Sequence, residues 1–172
     1  RTWANEKPFD HDGEFYTIKG AYSDVRCHQS PRIPLYGGGG SDAAIAALAP
    51  HIDTFMLWGE PLVETEAFMK RVREAAAKYN KHPTFSLSTR PILAETDDKA
   101  WDKARDTLAK IERSGTPPDQ RNNVGSQRLL AAAADSELHD TCLWMKLAEA
   151  TGARGNSTAL VGTPDTVANA LI

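Results

Sequence analysis

The chain has 172 residues, a formal net charge of -3 and 25% charged residues, the balance of a single globular domain with no polyanionic partner such as nucleic acid. No apolar run reaches the roughly 20 residues that cross a bilayer, and RTWANEKPFD lacks the basic-then-apolar profile of a signal peptide, so no membrane partner is expected and a cytoplasmic location is. Cys27 and Cys142 have no C-x-x-C spacing and are expected reduced, and the five histidines show no ligand spacing, so no metal site is expected.

Residues 1–32 read as a hairpin or extended arm: EFYTIKGAY is strand-like, and Asp12-Gly13 before it offers the positive φ of a tight turn. Residues 33–113 then alternate short apolar runs with helical segments. IPLY precedes SDAAIAALAPH, DTFMLW precedes VETEAFMKRVREAAAKY, and TFSLSTRPIL precedes DDKAWDKARDTLAKIE. Three strand–helix units in a row predict a parallel sheet. Thr96 is the expected N-cap of the third helix, with Asp97 and Asp98 in its first turn. In the second helix Val63, Ala67, Val72, Ala75, Ala76 and Tyr79 form the expected apolar face.

Residues 114–157 break the rhythm. SGTPPDQRNNVGSQ is a loop, QRLLAAAADSELHDTCLWMKLAEATG reads as helical, and ARGNS is a second breaker; an intervening segment of this length is an insertion of the kind that forms lids. Residues 158–172 read as a strand, TALVG, and the start of a helix with Thr163 as N-cap and Pro164 at N1. The start at Arg1 and the end in the apparent helix VANALI are what a piece of a larger protein would show.

Chemistry concentrates at four places. Between the first strand and helix, Gly37 to Gly40 and Ser41 allow close approach of backbone N–H groups to an anion, with a hydroxyl beside them; a tight βα turn without a ligand is the alternative. Trp58, Gly59 and Glu60 fall at the C-terminal end of the second strand, where parallel α/β folds place ligands, although a core tryptophan reads equally well. In FSLSTRPIL a period of two puts Ser86, Ser88 and Arg90 on one face, and Pro91 suggests the strand end. Arg90 is then a cation for a phosphate or sulfonate, or the partner of a neighbouring carboxylate. Arg154, flanked by Gly152 and Gly155, could close over an anion or be an exposed loop arginine.

Taken in order, PFDHDGEFY, PRIPLYGGGGSDAAI, DTFMLWGEP, FSLSTRPILAETDDKAW and ARGNSTALVGTPDTVA resemble the bacterial luciferase-like flavin-dependent monooxygenases, and most closely the alkanesulfonate monooxygenase group. The resemblance implies an α/β fold, the (β/α)8 TIM barrel of the luciferase-like type, with only its middle-to-late part present in this chain. It implies reduced FMN (FMNH2) and dioxygen as co-substrates and a small organosulfur substrate, alkanesulfonate- or sulfone-like, oxygenated in desulfonation-type chemistry. A separate NAD(P)H-dependent flavin reductase supplies the flavin, and the protein is expected to be a homo-oligomer.

By position, Gly39, Gly40 and Ser41 match the family's phosphate contacts, with Gly40 where the family commonly has a serine. Trp58 matches the active-site tryptophan. The strand that presents arginine and then histidine to a sulfonate holds Ser88 and Arg90 here, so the cation has moved one step along the same wall and an anionic substrate is still expected. Arg154 falls one residue from the family's lid arginine. The segment alone is expected to be inactive. The rival readings are a deazaflavin-dependent oxidoreductase on the same barrel and a truncated, non-catalytic α/β module.

Overall fold

The computed structural model describes residues 7–115, 123–155 and 157–172, in two compact units, residues 1–35 and 36–172. In the first unit, β1 (Phe9–Asp12) pairs antiparallel with β2 (Thr17–Ala21). The Gly13 N–H donates to the Tyr16 carbonyl at 3.0 Å to close the turn. Gly13 itself does not take the expected positive φ; a side chain there would meet the His11 ring at 2.6 Å. The left-handed residue of this hairpin is Gly20, at φ +63.

In the second unit, β3 (Tyr36–Gly37), β4 (Thr54–Trp58) and β5 (Thr84–Ser88) form a parallel sheet in that order, with α1 (Asp42–Leu48) and α2 (Leu62–Ala77) as the crossovers. Ile45, Ile52, Phe55, Leu57, Phe68 and Val72 are buried between sheet and helices, with the Phe55 and Phe68 rings edge-on at 5.6 Å. The buried face of α2 is Phe68, Val72 and Ala76, an i, i+4 stripe. Val63 and Tyr79, expected on it, are 76% and 54% exposed at the helix start and just past its end, and Ala67 is exposed as well, with the neighbouring Phe68 buried in its place.

TFSLSTRPIL is two strands, separated at Thr89. β6 (Arg90–Leu93) leaves the first sheet and pairs in parallel with β9 (Ala159–Gly162) at the edge of a second sheet that continues through β8 (Leu143–Trp144) to β7 (Leu138–His139). Pro91 therefore does not end a strand. It lies inside an edge strand, where its missing N–H disturbs no second neighbour. α3 (Asp97–Arg113) follows, its Lys99 N–H donating to the Thr96 hydroxyl at 3.3 Å. In QRLLAAAADSELHDTCLWMKLAEATG, helix α4 (Val124–Asp135) stops at Ser136, a tight hairpin of β7 (Leu138–His139) and β8 (Leu143–Trp144) intervenes, and α5 (Lys146–Thr151) ends on Gly152 at φ 65. Asp140 turns the hairpin at φ 50, a conformation open to aspartate. Leu143 and Trp144 are buried against β9, with Trp144 edge-on to Trp101 of α3 at 5.8 Å. α6 (Pro164–Ala170) starts at Thr163, whose hydroxyl accepts the Thr166 N–H.

The buried Thr158 hydroxyl donates to the Gly59 carbonyl at 2.8 Å, tying the start of β9 to the end of β4. A side chain on Gly59 would meet that hydroxyl at 2.8 Å, so the glycine of Trp58-Gly59-Glu60 is a requirement of this junction. Among the described residues no helix is long and apolar enough to cross a membrane.

Candidate functional site

A cavity of about 620 Å³ opens at the C-terminal ends of β3 and β4, a volume in the range of small-molecule sites. Its floor is the turn from Gly38 to Ser41, its walls include Trp58, Glu60 and Phe68, and the first turns of α4 complete it through Asn123, Gly125 and Arg128.

The glycine turn is packed on three sides, which a slack tether would not be. A side chain on Gly38 would come within 3.1 Å of the Met56 carbonyl, one on Gly39 within 2.6 Å of the Ala44 methyl, and one on Gly40 within 3.0 Å of the Gly125 nitrogen. Ser41 caps α1, its hydroxyl oxygen accepting the Ala44 N–H at 3.1 Å, which leaves its own O–H to donate. The turn thus offers main-chain surface and one hydroxyl to the cavity.

On the opposite side Asn123 caps α4, accepting the Ser126 N–H at 2.8 Å and donating its amide to the Ser126 hydroxyl at 2.9 Å. Ser126, 1% exposed, donates onward to the Ala153 carbonyl at 2.9 Å. That chain holds the start of α4 against the loop after α5. Gly125 has no room for a side chain because the Trp58 ring carbon Cζ3 lies 2.9 Å from where its Cβ would be. The half-buried Trp58 therefore forms a flat wall braced by α4.

Glu60 and Arg128 form an ion pair at the cavity's end, with 12% and 25% of their side chains exposed. The Arg128 guanidinium also lies over the Phe68 ring, 4.4 Å from its centre. Burial pushes the Glu60 carboxyl above the usual range, while Arg128 beside it pulls the other way. Below this pair a second cavity of about 250 Å³ lies between α2 and α4.

Of the residues singled out from sequence, Gly39, Gly40, Ser41 and Trp58 meet around one cavity. Ser88 and Arg90 belong to different strands: Ser88 ends β5 in register with Trp58, and Arg90 begins β6 in register with Ala159. Both are exposed, as is Arg154 in the loop after α5, and none of the three lines the cavity. Asn123, Gly125, Arg128 and the paired state of Glu60 escaped the sequence reading. The Glu60–Arg128 contact spans 68 residues, and no local pattern announces it. The only available signal was the i, i+3 spacing of Gly125 and Arg128, which puts both on one helix face.

Among the described residues no group of His, Cys, Asp and Glu side chains is placed to hold a metal. Cys142 is buried, and that burial raises its thiol pKa, the opposite of what a reactive thiolate needs. The residues present fit a ligand with an anionic end and a planar apolar body: a side-chain-free turn with a hydroxyl, facing an aromatic wall.

A family model described as luciferase-like monooxygenase matches residues 1–172. Among solved structures the chain superposes on riboflavin lyase with modified FMN and substrate riboflavin, with TM-score 0.69 and 18% identity over 95% of this chain and 40% of that one. It superposes on EDTA monooxygenase from Chelativorans sp. BNC1 with TM-score 0.63 and 17% identity, over 96% and 44%. For the coenzyme F420 dependent tetrahydromethanopterin reductase from Methanopyrus kandleri the values are 0.62 and 16%, over 99% and 50%. At these identities the likeness is one of fold, the luciferase-like TIM barrel, and the chain spans 40% to 50% of the length of these three chains.

Proposed function

The chain belongs to the luciferase-like monooxygenase family, and from that premise we propose that it is part of a reduced-flavin-dependent monooxygenase that uses FMNH2 and dioxygen on a small organosulfur substrate. The observation that carries this reading is the cavity bounded by the packed glycine turn and Trp58. Backbone N–H groups of Gly39 and Gly40 and the Ser41 hydroxyl hold the flavin phosphate, and the Trp58 ring walls the pocket. When bound, the reduced flavin supplies the oxygen activation.

The chain's own tasks are to bind, to orient and to exclude water. The covering insertion, residues 114–157, lies partly outside the described residues; within its described part the Asn123–Ser126–Ala153 chain holds the start of α4 against the loop after α5. Arg154, next to that chain, and Ser88 and Arg90, both exposed where β5 gives way to β6, serve the substrate's anionic group. A separate NAD(P)H-dependent reductase delivers the flavin, and the enzyme works as a cytoplasmic homo-oligomer.

Anaerobic titration of the full-length protein with FMNH2, followed by tryptophan emission with W58F as control, tests the reading. Saturable quenching that W58F largely removes is expected; no saturable binding refutes it. A second reading, a deazaflavin-dependent oxidoreductase, is favoured by the likeness to the F420-dependent reductase. Tighter binding of reduced deazaflavin than of FMNH2 in the same titration would select it.

A further inference from the structure

Among the described residues that line the larger cavity, Arg128 is the single cation and Glu60 the single anion, and they neutralise each other. This is not a surface ion pair. Both side chains are largely removed from water, and Phe68 beneath the guanidinium holds it in the wall. A guanidinium carries five N–H donors in a planar fork, and one nitrogen, Nη2, meets the Glu60 carboxylate. Arg128 also lies one helical turn beyond Gly125 on the same face of α4, and Gly125 abuts both Gly40 and Trp58.

We infer that Arg128 is the specificity-determining residue that holds a tetrahedral oxyanion in this cavity, and that Glu60 is the carboxylate such an anion displaces from it. The inference rests on the flavin reading and names the side chain that recognises the ligand's charge. The oxyanion is the phosphate of the cofactor or the sulfonate of the substrate. Guanidinium suits either, since both present oxygens that accept paired N–H bonds.

Displacement has a proton consequence. Arg128 is what opposes the upward pull of burial on the Glu60 carboxyl, so an anion that engages Arg128 leaves Glu60 to take up a proton. The other charged or titratable groups near Glu60 are Glu64 of α2, Asp135 and His139 around the second cavity, and Asp140, which accepts the Leu62 N–H. Of these, Glu64 adds its charge to the upward pull on Glu60, which favours that uptake. Oxyanion affinity therefore falls as pH rises.

The test is calorimetric titration of the full-length protein, wild type and variants, with inorganic sulfate, FMN, riboflavin and octanesulfonate. R128Q is expected to weaken oxyanion binding about tenfold or more, and E60Q to strengthen it and flatten its pH dependence. Opposite signs are the signature, since an ion pair that only stabilises the fold would make both variants worse. FMN weakened by R128Q with riboflavin spared assigns the cofactor phosphate; octanesulfonate weakened with FMN spared assigns the substrate. R128K, which keeps the charge and loses the fork, recovers part of the affinity and controls for misfolding. Unchanged oxyanion affinity in R128Q, weaker binding in E60Q, or a wild type that binds no oxyanion overturns the inference. Absence of flavin binding with sulfate binding intact refutes the flavin reading alone.

Discussion

Gly40 occupies a position where a serine would add a hydroxyl donor to a phosphate turn, so Gly40→Ser is the substitution that best exposes what this turn is built for. In isolation the new hydroxyl would contribute about 1.5–3 kcal/mol to a bound phosphate. The structure opposes it. A Cβ at residue 40 meets the Gly125 nitrogen at 3.0 Å and the Val124 Cγ1 at 3.2 Å. Val124 can rotate away, but the Gly125 nitrogen is main chain, fixed by the Asn123 cap and by the buried Ser126 hydroxyl bonded to Ala153. Relieving a few tenths of an ångström there means moving the first turn of α4 and the Trp58 ring behind it, an overpacking cost of about 1–3 kcal/mol. The hydroxyl gain is thus cancelled, and Gly40→Ala, which carries the cost without the gain, is worse. Urea unfolding and FMN titration of both variants are the assays. The expected result is lower stability in both and no tighter FMN binding by Gly40→Ser; a variant with wild-type stability and tighter binding would refute the packing argument.

Other expectations follow from the same geometry. Ser126→Ala removes a buried donor and leaves the Ala153 carbonyl and the Asn123 amide short of a partner, costing about 1–3 kcal/mol in urea unfolding. Phe68→Ala removes the edge contact to Phe55 and the ring beneath Arg128, about 3–5 kcal/mol, and weakens oxyanion binding with it. Because the folded pKa of Glu60 is raised above 4.5, the folded state holds that proton longer than the unfolded chain does. Its contribution to stability is therefore present below 4.5 and lost as pH rises through the folded value, and Glu60→Gln should remove this part of the pH dependence in chemical unfolding. Thr96→Ala, losing the cap of α3, should cost about 1 kcal/mol and leave FMN affinity unchanged.

Local signals were legible where a short-range interaction decides the structure. Thr96 and Thr163-Pro164 start helices because side chains three residues from an N–H can satisfy it. The strand–helix alternation gave the parallel sheet because a parallel neighbour requires a crossover. What the sequence hid depends on distant partners. FSLSTRPIL reads as one strand, but Arg90 is recruited by Ala159 on another sheet, and alternation of side chains carries no record of which sheet a residue joins. The hairpin through Asp140 lies within a run of helix formers, and burial of Leu143 and Trp144 against β9 overrides their helical preference. In the site, the glycines and Trp58 were visible as a motif. Arg128 was not, since its meaning comes from a carboxylate 68 residues away.

The most direct test is a crystal structure of the full-length protein with FMN bound. The account predicts phosphate oxygens within hydrogen-bonding distance of the main-chain nitrogens of residues 39 to 41, with the Trp58 ring bordering the flavin. A phosphate held elsewhere, or those nitrogens turned away toward protein carbonyls, would contradict it.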